Sequence, residues 1–185
     1  PLVLEELQQT LKTPAPDRAL EDRWELGILQ HMLPELAACK GVAQPADYHR
    51  EGDVWEHLLA CTRAFTPEDD ADIRLAALFH DVGKPQTFSV RERIRFDEHA
   101  SVSGELTKDI LHRLQCPAAR RDKIAWLVSH HMMMGSFVVF PGHEDRTLSP
   151  ERRADWYHHP WFSSLLRIFE IDIAGTTPAN YTMFH

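Results

Sequence analysis

Apolar residues recur at helical spacing in five segments of the chain, and each of these stripes also contains an imidazole or a carboxylate. Residues three and four positions apart lie on one face of a helix, so the polar member of each stripe should point inward with its apolar neighbours. A buried carboxylate costs several kcal/mol unless it is paired or bound to a cation. We therefore expect a helical fold that brings these polar groups together. The five stripes are Val54-His57-Cys61-Phe65, Ile73-Ala76-Ala77-His80, His99-Val102-Leu106-Ile110, Ile124-Leu127-Val128-His131 and Leu165-Ile168-Phe169-Asp172.

A shared metal ion is the simplest explanation for five inward polar groups. One inward histidine is usually a core residue with satisfied hydrogen bonds, but five such groups on five helices favour convergence. A cation would neutralise the carboxylates and use the neutral imidazoles as donors. The mixed nitrogen and oxygen set suits Mn²⁺, Fe²⁺, Co²⁺, Ni²⁺ or Zn²⁺, with Mg²⁺ at a more carboxylate-rich position. The adjacent His80 and Asp81, which end one apolar run just before Gly83, supply both ligand types side by side.

Helix breakers between the stripes predict a mainly α single domain with at most one small β-hairpin, near residues 87–96. Pro and Gly end helical segments, and short alternating runs indicate strands. The hairpin strands are predicted at 87–90 and 93–96, with an irregular segment at 37–52 and a long loop at 135–150. The predicted helices cover residues 2–12, 17–33, 53–65, 70–80, 99–114, 118–133, 150–157 and 161–174.

Composition argues against several functional classes. A net charge of −8 is unlike that of a protein that coats nucleic acid nonspecifically. The chain contains no apolar run near the roughly 20 residues needed to cross a bilayer, and its first residues do not resemble a signal peptide. Cys39, Cys61 and Cys116 are odd in number and widely separated, as expected of reduced, buried thiols in a cytosolic protein. We therefore expect a cytoplasmic protein with no membrane partner.

The polar residues of the stripes also match a known signature. His57, the doublet His80-Asp81 and Asp172 resemble the H…HD…D pattern of the HD phosphohydrolase superfamily, over residues 49–176. Within that superfamily, the stretch 33–57 is similar to the HD modules of CCA-adding tRNA nucleotidyltransferases. It also resembles the HD module of bifunctional HD phosphohydrolase–polynucleotide kinases. The chain has no nucleotidyltransferase motif and no GxxxxGK[ST] phosphate-binding loop.

The resemblance implies an HD-type helical domain that binds a divalent transition metal, with two ions expected. Asp81 would bridge from the first ion to the second, and the extra histidines resemble those of two-metal members. The apolar stripe favours His131, and His130 lies about 100° around the helix, but the sequence leaves the choice between them open. The implied ligands are His57, His80, Asp81 and Asp172 for the first ion, and His99 with His130 or His131 for the second.

The resemblance also implies hydrolysis of nucleotide or polynucleotide phosphoesters by metal-activated water. The substrates would be 2′,3′-cyclic phosphodiesters or terminal phosphates, as in nucleic-acid end healing. Asp81 and Lys84 would be the catalytic residues, with Lys84 facing the phosphate. Arg91, Arg93 and Arg95 alternate along the predicted hairpin and would share one face that binds phosphate, although a solvated charged face is the commoner explanation.

Domain organisation and partners follow from the same resemblance. Residues 1–48 would form a helical lead-in packed on the core, residues 49–176 the HD core, and residues 177–185 a tail, interpreted as a truncated linker. The partner would be a nucleotide or an RNA or DNA end, together with a fused or separate kinase or nucleotidyltransferase domain. Two alternatives stay open: a non-catalytic HD module that binds tRNA or another nucleic acid, and a diiron oxygenase.

Overall fold

The computed structural model describes residues 2–46, 49–137 and 147–176. Helices dominate these residues, and the only sheet among them is one antiparallel hairpin, in which Phe88 pairs with Phe96 and Val90 with Ile94. The predicted mainly α fold with a single small hairpin is confirmed. The elements are α1 (Leu2–Leu11), α2 (Pro16–Glu25), α3 (Ile28–Met32), α4 (Pro34–Ala37), α5 (Val54–Arg63), α6 (Ala71–Phe79), α7 (Lys84–Thr87), β1 (Phe88–Val90), β2 (Ile94–Phe96), α8 (His99–Arg113), α9 (Ala118–Ser129), a 3₁₀ helix (His131–Phe137), α10 (Pro150–Tyr157) and α11 (Phe162–Gly175).

One buried apolar cluster runs from the N-terminal helices to α11. Leu4 and Leu20, from α1 and α2, belong to the same cluster as Trp55 of α5, Leu78 of α6 and Ile168 of α11. Burial of side chains this large contributes roughly 1.5–3 kcal/mol each. The N-terminal segment therefore packs on the rest of the fold. The proposed division at residue 48 stays a prediction, and the predicted tail at 177–185 lies outside the described residues.

Aspartates at two helix starts fix the positions of the helices that carry the first histidines. The Asp53 carboxylate accepts a hydrogen bond from the Glu56 backbone N–H at 2.9 Å, and the Asp70 carboxylate accepts from Asp72 and Ile73 at 2.8 Å each. Such caps typically contribute about 1 kcal/mol. Asp53 is thus the N-cap of α5, and Asp70 is the N-cap of α6.

The prediction of one continuous helix at residues 17–33 is wrong. This segment is divided between α2 and α3 at Gly27, whose φ of 74° is left-handed and ends α2. Glycine adopts this conformation without the steric cost that a Cβ imposes. The i+4 apolar pattern continued through Gly27 and concealed this break.

The helix predicted at residues 118–133 ends early, and a short helix was missed before the hairpin. The α9 helix stops at Ser129, and the 3₁₀ helix His131–Phe137 follows it. The missed helix α7 (Lys84–Thr87) has a proline in its first turn, where proline is well tolerated. Strand β2 begins at Ile94, which leaves Arg91 and Arg93 in the turn.

Most of the predicted loop at 135–150 lies outside the described residues. Of the helices described here, none combines the length and apolarity needed to span a membrane.

Candidate metal centre

Four side chains from α5, α11 and the turn after α6 form a first donor set. The Nε2 atom of His57 lies 3.2 Å from Nε2 of His80 and 3.1 Å from Oδ1 of Asp172. Oδ2 of Asp81 lies 3.3 Å from the His80 nitrogen and 3.7 Å from the His57 nitrogen. Donors bound at about 2.1 Å to one ion are separated by roughly 3.0–3.5 Å, depending on the coordination geometry. The spacing of the first donor set therefore fits a metal ion at its centre.

A second donor set lies beside the first and shares Asp81 with it. Oδ1 of Asp81 is 3.4 Å from Nε2 of His99 and 3.9 Å from Nε2 of His131, and the two imidazole nitrogens are 3.3 Å apart. Asp81 thus presents Oδ2 to the first set and Oδ1 to the second. This is the arrangement in which one carboxylate could bridge two neighbouring ions.

Backbone contacts orient three of the imidazoles in the same way. The Nδ1 atoms of His80, His99 and His131 lie 2.7, 2.9 and 2.7 Å from the backbone carbonyl oxygens of the residues three positions earlier. A carbonyl only accepts, so each Nδ1 carries a proton and each Nε2, which can bind a metal when its ring is neutral, faces the cluster. The Nε2 lone pairs of His99 and His131 then face each other with no proton between them. A cation between such lone pairs removes their repulsion.

The carboxylate of Glu51 lies beside the fourth imidazole, that of His57. Oε1 of Glu51 lies 3.2 Å from Nδ1 of His57 and 2.6 Å from Nδ1 of His49. Metal-binding histidines commonly donate their second ring nitrogen to a carboxylate, which fixes the ring and its tautomer. Sequence reasoning missed this role of Glu51, because the residue precedes α5 in an irregular segment where helical periodicity gives no signal.

Lys84 is buried with its ammonium against the cluster. Its Nζ lies 2.6 Å from Oδ2 of Asp81 and donates to Oε1 of Gln44 at 2.6 Å. The predicted phosphate-facing lysine thus lies at the centre, paired with the carboxylate that the two donor sets share. Gln44 was not identified from the sequence.

The charges of the cluster call for a cation. Burial lowers the pKa of His80, but the carboxylates of Asp81 and Asp172 outweigh it and raise that pKa to about 10. Burial, with a contribution from charged His80, lowers the pKa of His131 to about 3. Burial opposes ionisation of Asp81 and Asp172, yet their histidine neighbours hold both pKa values well below the ordinary one. Oδ1 of Asp81 is buried without a hydrogen-bond donor among the described residues. The residues present therefore fit a divalent metal.

Close backbone contacts bring the donor-bearing helices together. A Cβ on Gly83 would lie 2.6 Å from the Ser103 backbone nitrogen, and the Gly83 N–H donates to Oγ of Ser103 at 2.8 Å. This contact holds α8, and with it His99, against the turn that contains Asp81. A Cβ on Gly175 would lie 2.8 Å from the backbone nitrogen of Cys61. Glycine is therefore required where α11 meets α5.

The shared carboxylate opens into a cavity of about 440 Å³. Arg93 and Arg95 of the hairpin line this cavity, whereas Arg91 lines a neighbouring one with them. Arg95 donates to both carboxylate oxygens of Asp97, at distances from 2.7 to 3.1 Å. Arg93 has no ion-pair partner within the described ranges. The cavity is lined by Pro45, His49, Asp81, Lys84, Arg93, Ile94, Arg95, Phe96, Asp97, His99, His131, Met132, Asp172 and Thr176.

The two adjacent histidines are placed differently. His131 joins the second donor set, but the ring of His130 stacks on Trp126 at 4.3 Å, and its Nδ1 lies 2.8 Å from the Trp126 carbonyl oxygen. The opposite face of Trp126 is covered by His159 at 4.1 Å. Because α9 ends at Ser129, the chain direction changes between the two histidines. The structure therefore brings only His131 to the cluster, and ligation by His130 finds no support in this geometry.

Two family models and several known proteins are similar to this chain. The family model described as the HD domain matches residues 47–153. A second model, described as the probable RNA and SrmB-binding site of polymerase A, matches residues 3–40. The chain is 39% identical over 137 residues to the A-adding tRNA nucleotidyltransferase of Deinococcus radiodurans, covering 71% of this chain and 31% of the relative. It is 38% identical over 136 residues to the CC-adding enzyme of Thermus thermophilus, covering 70% and 31%.

A third relative matches nearly the whole chain. The multifunctional CCA protein of Herminiimonas arsenicoxydans is 33% identical over 175 residues, which cover 94% of this chain and 42% of the relative. The chain thus spans between about a third and two fifths of the length of these relatives. The predicted resemblance to CCA-adding enzymes is confirmed. Because the HD model covers more than half of its residues, the chain belongs to the HD domain family.

Proposed function

We propose that this protein is a metal-dependent phosphohydrolase that acts on nucleotide or polynucleotide phosphoesters. The observation that carries the proposal is the position of Asp81, which presents one oxygen to each of two adjacent donor sets at the wall of a cavity. Divalent ions, when bound, would offset the negative charge of the phosphoryl group and lower the pKa of an attacking water. The ligands would be His57, His80, Asp81 and Asp172 on one side, and Asp81, His99 and His131 on the other.

The remaining residues of the cavity would bind and orient the phosphate. Lys84 sits next to Asp81, so its ammonium can stabilise negative charge that develops on phosphoryl oxygens. Arg93 reaches the same cavity without an ion-pair partner in the part of the chain that the structure describes, which leaves its guanidinium available to a phosphate. Arg95 already pairs with Asp97 and would contribute less.

The substrate class follows from the size of the cavity and from the relatives. About 440 Å³ is in the range of sites that hold one small ligand, which suits a single nucleotide or the terminal residue of a strand. The relatives are named as tRNA nucleotidyltransferases, which supports an RNA end as the substrate. We therefore favour 2′,3′-cyclic phosphates and terminal phosphomonoesters over nucleoside triphosphates.

A second candidate is an HD module that binds tRNA without hydrolysing it. The match of residues 3–40 to a model described as an RNA-binding site favours this candidate. The candidate metal centre favours hydrolysis. A surface that only docks tRNA does not require two donor sets that share one buried carboxylate without a hydrogen-bond donor.

A metal panel crossed with a substrate panel tests the proposal. The purified protein is assayed with Mn²⁺, Co²⁺, Ni²⁺, Zn²⁺ and Mg²⁺ against 2′,3′-cyclic nucleotides, 3′-phosphates, nucleoside monophosphates and tRNA. Asp81→Asn should lower turnover by at least about a hundredfold. The matched control, Asp109→Asn on the exposed face of α8, should not. A folded Asp81→Asn protein with unchanged turnover contradicts the proposal, and tRNA binding without hydrolysis under any metal favours the second candidate.

A further inference from the structure

Cys61 lies against the first donor set, one helical turn after His57 on α5. Its side chain is fully buried, and its Sγ is 3.6 Å from Nε2 of His57. The ligand atoms of Cys61, His57, His80 and Asp172 all lie within 4.8 Å of one another. The other two cysteines belong to neither donor set. Cys61 is thus the single thiol that the described residues place beside the candidate metal centre.

The spacing of sulfur and nitrogen fits coordination of one ion. A sulfur at about 2.3 Å and a nitrogen at about 2.1 Å from one ion are about 3.6 Å apart when the angle between them is close to tetrahedral. A thiol that donates a hydrogen bond to an imidazole spans a similar distance, so the charges of the cluster are needed to discriminate between the two arrangements.

Charge balance favours coordination. Two neutral imidazoles, one thiolate and the carboxylates of Asp81 and Asp172 carry three negative charges. A divalent ion and the ammonium of Lys84, which lies 2.6 Å from Oδ2 of Asp81, together neutralise them. Histidine nitrogen, cysteine sulfur and carboxylate oxygen are all common ligands of Zn²⁺. Without the thiolate, the same ion would leave a net positive charge in a buried site.

Helix α11 packs over the Cys61 side of the first donor set. Gly175 lies one turn after Asp172 on α11 and packs directly on Cys61, with no room for a side chain. The same helix therefore brings a carboxylate to the ion and shields the sulfur from solvent. This is the setting in which a buried thiolate is stabilised by a metal instead of by water.

We propose that the Cys61 thiolate is a ligand of the first metal ion and selects a thiophilic transition metal, such as Zn²⁺ or Co²⁺, over Mg²⁺. The inference rests on the metal binding of the proposed function and adds the class of metal. Coordination replaces the S–H bond with a sulfur–metal bond, and the proton leaves to solvent. Soft sulfur ligands select for such metals, whereas Mg²⁺ prefers oxygen.

Optical titration with Co²⁺ tests the inference without any activity assay. A thiolate bound to Co²⁺ gives a charge-transfer band in the near ultraviolet, which imidazole and carboxylate ligands do not give. The band should appear in the wild-type protein and disappear in Cys61→Ser and Cys61→Ala. Zn²⁺ affinity should fall by at least about tenfold in both variants, with Mg²⁺ affinity little changed. Cys116→Ser, which changes a thiol outside the centre, is the matched control.

A second variant keeps the test decisive if the Cys61 variants fail to fold. Cys39→Ser/Cys116→Ser leaves Cys61 as the only thiol, and the new hydroxyl at position 39 could still donate to the Glu35 carbonyl that Cys39 now contacts. The band should be retained in this double variant, and its loss overturns the inference. Co²⁺ binding to the wild type without the band overturns the role of Cys61 alone. Failure of the wild type to bind any transition metal overturns the proposed metal centre as well.

Discussion

Two buried polar clusters in this fold differ in whether their charged groups have hydrogen-bond partners. Around Asp69, every charge meets a hydrogen-bond partner: its carboxylate accepts from Arg167 at 2.7 and 3.0 Å and from the Thr66 backbone N–H at 2.7 Å. The nearby guanidinium of Arg74 donates to three backbone carbonyls, those of Leu11, Thr66 and Asp69. This cluster is complete without any external group.

The cluster around Asp81 is incomplete by the same criterion. Imidazole lone pairs of His99 and His131 face each other at 3.3 Å, and one oxygen of Asp81 has no donor among the described residues. Burial penalises such an arrangement unless a cation enters it. The difference separates a polar cluster that stabilises the fold from one that is built to bind. It predicts that metal acts on the second cluster and leaves the first unchanged.

Metal binding should give the largest effect. At a free metal concentration of about 1,000 times Kd, binding to the folded state alone raises the free energy of unfolding by about 4 kcal/mol. Asp172→Asn, which replaces a carboxylate of the first set with a neutral amide, should abolish most of this gain, whereas Asp69→Asn should keep it. Urea unfolding with metal and with chelator measures both. An equal gain in the two variants would contradict the distinction between the clusters.

Asp69→Asn should instead lower the stability of the protein itself. Burial disfavours the Asp69 carboxylate, but hydrogen bonds from Arg167 outweigh it and hold the pKa of Asp69 below its ordinary value. Removing the negative charge leaves Arg167 without its main partner, at a cost of about 2–3 kcal/mol after allowance for the partial exposure of the arginine. The loss should be the same with and without metal, as measured by urea unfolding at neutral pH.

The sign of the pH dependence follows from the lowered pKa. A carboxylate whose pKa is lower in the folded state contributes stability above its unfolded pKa, near 3.9, and that contribution is lost as the pH falls through the folded value. Stability of the wild type should therefore fall more steeply than that of Asp69→Asn below about pH 4. Parallel curves for the two proteins would show that the Arg167 pair contributes little.

Glu51→Gln should weaken metal binding by about 10–100-fold, because it removes the negative charge that lies 3.2 Å from Nδ1 of His57. Calorimetric titration of the metal measures this change. Glu56→Gln is the matched control, since Glu56 is an exposed residue in the first turn of α5. Unchanged affinity in Glu51→Gln would mean that the ring of His57 is held by packing alone.

Most parts of this site that the sequence predicted lie on, or directly after, helices with an apolar stripe. The stripes around His57, His80, His99 and Asp172 have the period of an α-helix, and the structure brings all four side chains together. Periodicity carries no information where the backbone is irregular, so the contacts of Glu51 and Gln44 were missed.

The choice between His130 and His131 depended on a helix end that periodicity did not reveal. A continued α-helix would have separated the two side chains by about 100°, but the 3₁₀ helix after Ser129 directs only His131 inward. Cys61 shows a different limit. It lay on the predicted stripe one turn after His57, yet its approach to His80 and Asp172 became visible only after α5 was packed against the other helices.

The hairpin arginines should give the smallest effect and distinguish a free cation from a paired one. Arg93→Ala should raise KM for a phosphorylated substrate by about tenfold, the value of one charge-assisted hydrogen bond near 1.4 kcal/mol. Arg95→Ala should raise KM less, because Asp97 already holds that guanidinium. Steady-state kinetics at several salt concentrations measures both, since an exposed phosphate contact weakens as salt increases. A larger loss from Arg95→Ala would mean that Asp97 positions Arg95 for the substrate, and that pairing within this hairpin serves binding as the pairing around Asp69 serves stability.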